Sequence, residues 1–141
     1  MSRTIVLGYD ESPSANAALA ATIRVAPLVG ARVVVVFGFR INPLGGLQEG
    51  SIREALEAVG QHAVARAVSD LEAAGVEVES RLVPGRPADA LIDVARQVGA
   101  DTIVVGTVGE NPISGALLGS VVLRLVQRSP IPVLVVPTAE A

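Results

Sequence analysis

The sequence predicts a parallel α/β fold, and three observations carry that prediction. Five short apolar segments, mostly β-branched, recur along the chain: Thr4–Gly8, Val33–Phe39, Val76–Val83, Thr102–Gly106 and Ile131–Val136. Continuous apolar runs of this length suit strands covered on both faces, whereas a half-exposed strand alternates. Longer segments with helical patterning separate them. The resulting order, β-α-β-α-β-α-β-α-β, is that of a parallel sheet wound by right-handed crossovers. A chain of 141 residues and 14.4 kDa fits one domain over residues 1–141, with no repeat, linker or second domain visible.

The first helix is expected from about Ser14 into the mid-twenties. Ser12 is placed as its N-cap and Pro13 as its first residue. Pro27 lacks the N–H that a helix interior needs, so a break or kink is expected there. The second helix is expected from about Ser51 to Ala74, opened by the capping-box pair Ser51 and Glu54. Ile52, Leu56, Val59, Ala63, Ala67 and Leu71 form its apolar stripe, and Gly75 ends it. His62 lies near that stripe and reads as a half-buried structural residue. The third helix follows Pro87, carries Ala90, Leu91, Val94 and Ala95, and stops at Gly99. The fourth takes in Leu117, Leu118, Val121, Val122, Leu125 and Val126 and ends before Pro130. The long irregular stretch from Arg40 to Gly50 reads as a loop.

Composition excludes much chemistry. All 11 basic residues are Arg, which removes a catalytic Lys, a Schiff base and a Walker-type phosphate Lys. No Cys is present, and the single His cannot build a multi-His metal site. A net charge of −3 supplies no general field for nucleic acid or an anionic membrane. Aromatics are 2%, too few to stack single-stranded bases. Mean hydropathy is +0.55, yet the longest apolar run in the middle of the chain, Val33–Phe39, is far short of the roughly 18 residues of a spanning helix. The N-terminus turns polar too soon for a signal peptide. A cytoplasmic protein is expected.

Ligands of open α/β sheets bind at the carboxyl ends of the strands, beside the switch in strand order. The first strand delivers Gly8-Tyr9-Asp10-Glu11-Ser12 there, the second Gly38, and the third Gly85-Arg86-Pro87. The fourth delivers Gly106-Thr107-Val108-Gly109, then a loop to Gly119-Ser120-Val121. Glycines let backbone N–H groups approach an anion, a helix start adds unpaired donors, and Ser120 adds a hydroxyl. The residues alone leave two readings open: a phosphate cradle built from backbone, or an ordinary Gly-rich connection. The segment is neither a Walker A loop nor Gly-x-Gly-x-x-Gly.

Gly106-x2-Gly109-x9-Gly119-Ser120 resembles the nucleotide-binding signature of the universal stress protein family. The Asp10–Ser12 exit, Gly85-x-Pro87 and Pro132–Val136 resemble other landmarks of that family, in order over nearly the whole chain. The resemblance implies strand order 3-2-1-4-5 and bound ATP, with ADP or AMP as alternatives and Mg²⁺ as companion. It implies that Gly8, Tyr9 and Asp10 sit at the nucleoside, that Gly38 reads the adenine edge, and that Gly106 and Thr107 lie along the ribose. Gly109, Gly119, Ser120 and Val121 are then the phosphate group. It also implies a homodimer through the last strand at Val133, Leu134 and Val135.

Two residues depart from the family pattern. Val108 and Glu110 stand where a basic residue is common, and none occurs between Gly106 and Gly119. A triphosphate then depends on backbone donors, the helix end and Mg²⁺, with Glu110 expected to face solvent. Asp10 and Glu11 leave a strand in different directions and make a poor metal pair. A phospho-receiver is excluded, because Val83-Pro84 replaces its third-strand Asp and its Lys is missing. Tyr9 and Phe39 are placed either to flank a base or to pack. Arg86 lies on the ligand side, within reach of a phosphate, but reads first as a surface residue beside a helix start that needs no function. No general base or nucleophile is evident, so efficient ATP hydrolysis is not expected. The leading expectation is a nucleotide-responsive regulatory or protective module. A dimeric interaction protein of the same fold without nucleotide is the alternative, and an enzyme ranks last.

Overall fold

A computed structural model describes residues 3–39, 49–108 and 118–138. Five parallel strands, β1 (Arg3–Gly8), β2 (Ala31–Phe39), β3 (Val78–Pro84), β4 (Thr102–Gly106) and β5 (Val133–Val136), form one sheet in the order β3-β2-β1-β4-β5. The connecting helices are α1 (Pro13–Val29), α2 (Glu49–Ala73), α3 (Pro87–Val98) and α4 (Ser120–Arg128). The expected fold class and strand order are both found.

The continuous apolar runs are explained by two cores. Ile5, Leu7, Val33, Val35 and Val104 pack with α1 and α2 on one face. Val6, Val34, Val36, Ile103 and Val105 pack with α3 and α4 on the other. Because successive strand residues point to opposite faces, each run fills both cores at once. The sheet reverses its winding between β1 and β4, so α1 leaves β1 on one face while α4 leaves β4 on the other.

Several boundaries differ from expectation, for physical reasons. β2 begins two residues earlier, because Ala31 and Arg32 pair with Arg3 and Thr4. β3 begins two residues later: the Val76 N–H is taken by the Leu71 carbonyl (3.1 Å), so this buried residue closes the helix end instead of joining the ladder. Before β5, Ser129 and Ile131 form a local turn, with the Ser129 hydroxyl donating to the Ile131 carbonyl at 2.7 Å.

The α1 start is as expected. Ser12 Oγ accepts from Ala15 N at 3.0 Å, with Pro13 in the first turn. Its end is not, because α1 continues through Pro27 to Val29. So close to the terminus the missing N–H removes one helical bond. Gly30, left-handed at φ 67°, returns its own N–H to the Ala26 carbonyl. In α2, Ser51 lies inside the helix rather than at its start; its side chain and that of Ile52 fall outside the described residues. Val59 is 59% exposed, and Gly60 takes the inward place. A Cβ on Gly60 would come within 2.8 Å of Phe37 and 2.9 Å of Leu82. His62 is exposed, not half-buried. Leu118 precedes α4 rather than belonging to it, and Leu117 and the 40–48 stretch lie outside the described residues.

Candidate functional site

The switch point between β1 and β4 opens at the carboxyl edge of the sheet into a cavity of about 200 Å³. Seven of the expected site residues line it: Gly8, Tyr9, Asp10, Gly38, Gly106, Gly119 and Val121. They come from four separate segments that the winding of the sheet delivers to one place. Thr107 and Ser120 stand just outside. The Thr107 carbonyl accepts from Gly119 N at 2.7 Å, which ties the end of β4 to the start of α4. Ser120 lines an adjoining cleft of about 390 Å³ that meets the cavity at Pro87 and Val121. Gly109 and Glu110 lie outside the described residues, as does the Phe39 side chain.

Packing leaves little or no room for side chains at the glycines of the strand ends. A Cβ on Gly8 would meet Leu91 at 3.0 Å and Val105 at 3.1 Å. A Cβ on Gly38 would meet Pro87 Cα at 2.9 Å, so only glycine lets the start of α3 close over the cavity. A Cβ on Gly106 would be driven into the Ser14 side chain, carbonyl carbon and oxygen. Ser14 was not singled out from the sequence, yet it holds the exit of β4. It is 1% exposed, its Oγ accepts from Val108 N at 3.1 Å, and it lies 3.4 Å from Thr107 Oγ1. No local pattern marks it, because these partners are more than 90 residues away. Pro87 and Leu91, also missed as site residues, were legible as neighbours on one helical face at i and i+4.

Asp10 is the one charged residue among the described residues lining the cavity. Its Oδ1 accepts from Ser12 N at 3.0 Å, fixing the turn from β1 into α1. Glu11, between them, adopts a left-handed φ of 65°, which compresses that turn. Of its two expected placements, the Tyr9 ring takes the packed one, while the residue still lines the cavity. It is 3% exposed, and its hydroxyl donates to Asn16 Oδ1 at 2.6 Å. Burial, reinforced by Glu11, holds its phenol above the ordinary value of 10.0.

Three helix starts meet at the crevice, and they differ: that of α3 has no side-chain cap bond but carries Asp89 in its first turn. Ser12 caps α1 with its own hydroxyl. The N-cap of α4 is Gly119, which makes no side-chain cap, and no acidic residue lies in the helix's first turn. The start of α4 therefore keeps donor capacity and partial positive charge for an anion. In the adjoining cleft, Arg124 is held by Asp89 through Nε–Oδ1 at 2.9 Å and Nη2–Oδ2 at 3.3 Å. That hydrogen-bonded guanidinium holds the Asp89 carboxyl below its ordinary value of 3.8. The arrangement suits a planar, largely apolar group in the cavity, a hydroxyl-bearing group near Asp10, and an anion at the start of α4.

The profile described as the Universal stress protein family matches residues 1–137. A universal stress protein of Thermus aquaticus is 36% identical over 137 residues, covering 96% of this chain and 99% of its own. A solved universal stress protein in complex with cAMP is 33% identical, with a TM-score of 0.72 and coverage of 97% and 98% of the two chains. The universal stress protein of Archaeoglobus fulgidus in complex with dAMP is 26% identical, with a TM-score of 0.69 and coverage of 96% and 98%.

Proposed function

This chain belongs to the universal stress protein family, and from that premise we propose that it binds an adenine nucleotide, ATP carrying Mg²⁺, in the β1–β4 crevice. In this reading it is a cytoplasmic, nucleotide-responsive module that regulates or protects during stress. The observation that carries the reading is the convergence of Gly8, Asp10, Gly38, Gly106, Gly119 and Val121 on one cavity beside a helix start without a side-chain cap. Two solved relatives hold adenine nucleotides, cAMP in one and dAMP in the other. Asp10 would take the ribose hydroxyls, and the Gly38 backbone the adenine edge. Gly109, Gly119, Ser120 and Val121 would hold the phosphates. Among the described residues no group of three or more His, Cys, Asp or Glu is placed to hold a metal. Mg²⁺ would therefore arrive on the nucleotide, bound mainly by phosphate oxygens, as is common for this ion.

A homodimer through β5 completes the proposal. Among the described residues β5 pairs only with β4, leaving its other edge without a strand, and Leu134 on β5 is 44% exposed. Val126, on the helix packed against that strand, is 59% exposed. Pairing of two such edges closes as a two-fold dimer and removes an aggregation hazard.

Calorimetric titration of the nucleotide-stripped protein with ATP, ADP and AMP, with and without Mg²⁺, tests the reading. Gly119→Asp is the companion variant. Gly119 has φ −76°, a value any residue adopts, so the change puts a carboxylate at the helix start without backbone strain. Saturable binding by the native chain, lost in a variant that melts at least as high, is expected. A second reading, an interaction module of this fold without nucleotide, is favoured by one observation: no basic side chain among the described residues lines the cavity. Absence of heat and of any melting shift at high micromolar ATP would establish that reading instead.

A further inference from the structure

We propose that the cleft adjoining the cavity is a subsite for the outer phosphates of a nucleotide, and that Arg86 is the residue that makes the site distinguish ATP from AMP. The proposal rests on the nucleotide reading and goes beyond it, because that reading gives the phosphates no cationic side chain.

The cavity itself holds no cation to do this. Among its described lining residues only Asp10 is charged, and the chain from Gly106 to Gly119 contains no basic residue. Backbone donors at the start of α4 suffice for one phosphate, but a triphosphate carries further charge outward from that point. The way out leads past Val121 and Pro87 into the cleft, whose walls include Arg86, Ser120, Arg124 and Gln127. Two guanidinium groups therefore stand beyond the cavity mouth, and they are not equivalent. Arg124 is engaged by both oxygens of Asp89. The Arg86 side chain makes no hydrogen bond or ion pair among the described residues, although it adds weakly to the field that lowers the Asp89 carboxyl; only its backbone carbonyl is engaged, by Ala90 N at 2.9 Å. It also takes the N-cap position of α3 without supplying a cap bond, so no local structural duty explains an arginine there. An exposed, uncommitted guanidinium next to a phosphate exit is suited to a ligand with distal negative charge and indifferent to one without it.

The facing charges set the limits of the effect. Asp89 and Arg124 neutralise each other, and Arg128, further along α4, also acts on Asp89. Arg86 is thus the cation that an added anion meets first. Because it is exposed, its contribution is screened, and a change of about three- to tenfold in affinity is expected, smaller at high salt.

The test is the ratio of ATP to AMP affinity, measured calorimetrically at fixed Mg²⁺ in low and high salt. The series comprises the native chain, Arg86→Lys, Arg86→Gln and Arg86→Glu. These are surface changes outside the two cores, so melting temperatures are checked only to confirm folding. A ratio that falls stepwise from Arg through Lys and Gln to Glu, and more steeply at low salt, is the expected result. A constant ratio while both nucleotides still bind would overturn the Arg86 subsite and leave the nucleotide reading standing. Failure of either nucleotide to bind the native chain would overturn both.

Discussion

Gly106→Ala is the most demanding test of how the crevice is built. The added Cβ points at the first turn of α1 and meets the Ser14 hydroxyl together with its carbonyl carbon and oxygen. Two of those three atoms are backbone, inside a helix capped by Ser12 and packed on both β1 and β4, so no rotamer change relieves the contact. Overpacking typically costs 1–3 kcal/mol, and an overlap with rigid backbone belongs at the top of that range, about 3 kcal/mol. For a domain of this size each kcal/mol lowers Tm by about 3 °C, so a drop of roughly 9 °C is expected. Gly30→Ala supplies the contrast. Nothing lies within 4 Å of its Cβ, and only its left-handed φ of 67° is unfavourable, which costs about 1 kcal/mol. A second contrast is the double variant Ser14→Gly with Gly106→Ala. It removes the hydroxyl but keeps the carbonyl, so it should recover little. Urea unfolding monitored by circular dichroism ranks the variants. A Gly106→Ala protein within about 1 kcal/mol of the native chain, or full recovery in the double variant, would refute the close α1–β4 contact.

Three further expectations follow from the same structure. Ser12→Ala removes the acceptor of Ala15 N and should lower stability by about 1 kcal/mol in the same urea assay. Tyr9 is the chain's single tyrosine and there is no tryptophan, so ultraviolet difference absorbance reads its ionisation directly. The folded phenol should titrate above 10.0 and the urea-unfolded one near it. Because the folded value is raised, this stability is complete below the unfolded value and is lost as pH climbs through the folded one. Leu134→Arg places an unpaired charge at the proposed two-fold edge. Sedimentation velocity should show the dimer weakened by about a hundredfold or more, from roughly 3 kcal/mol of uncompensated burial.

What was legible in the sequence was what local pattern controls. The strands announced themselves because each run fills two cores, as Leu7 and Val35 do on one side and Val6 and Val36 on the other. Ser12-Pro13 marked a helix start because capping involves residues three apart. What was not legible depends on distant partners. Gly60 looks like a weak point in a helix until Phe37 and Leu82 are seen against it. Val59 and His62 were drawn toward the core by a stripe that Gly60 shifts by one position. Pro27 reads as a break or kink until Gly30, the cap just beyond it, is seen to end the helix. Ser14 looked like any serine in a first turn.

The glycines of the crevice divide into two kinds, and the division bears on what the motif means. Gly38 and Gly106 are glycine because Pro87 and Ser14 leave no room for a side chain. They would be needed in this packing whether or not a ligand ever entered. Gly119 is different: its backbone is ordinary, and a serine or aspartate there would cap α4 and add a few tenths of a kcal/mol. A position where a better cap is sterically permitted by the backbone, but is not used, leaves donors open at the mouth of a cavity. The case for an anionic ligand therefore lies less in the spacing of the glycines than in this one missing side chain. Gly119→Asp separates the two contributions, since helix stability and nucleotide affinity should move in opposite directions.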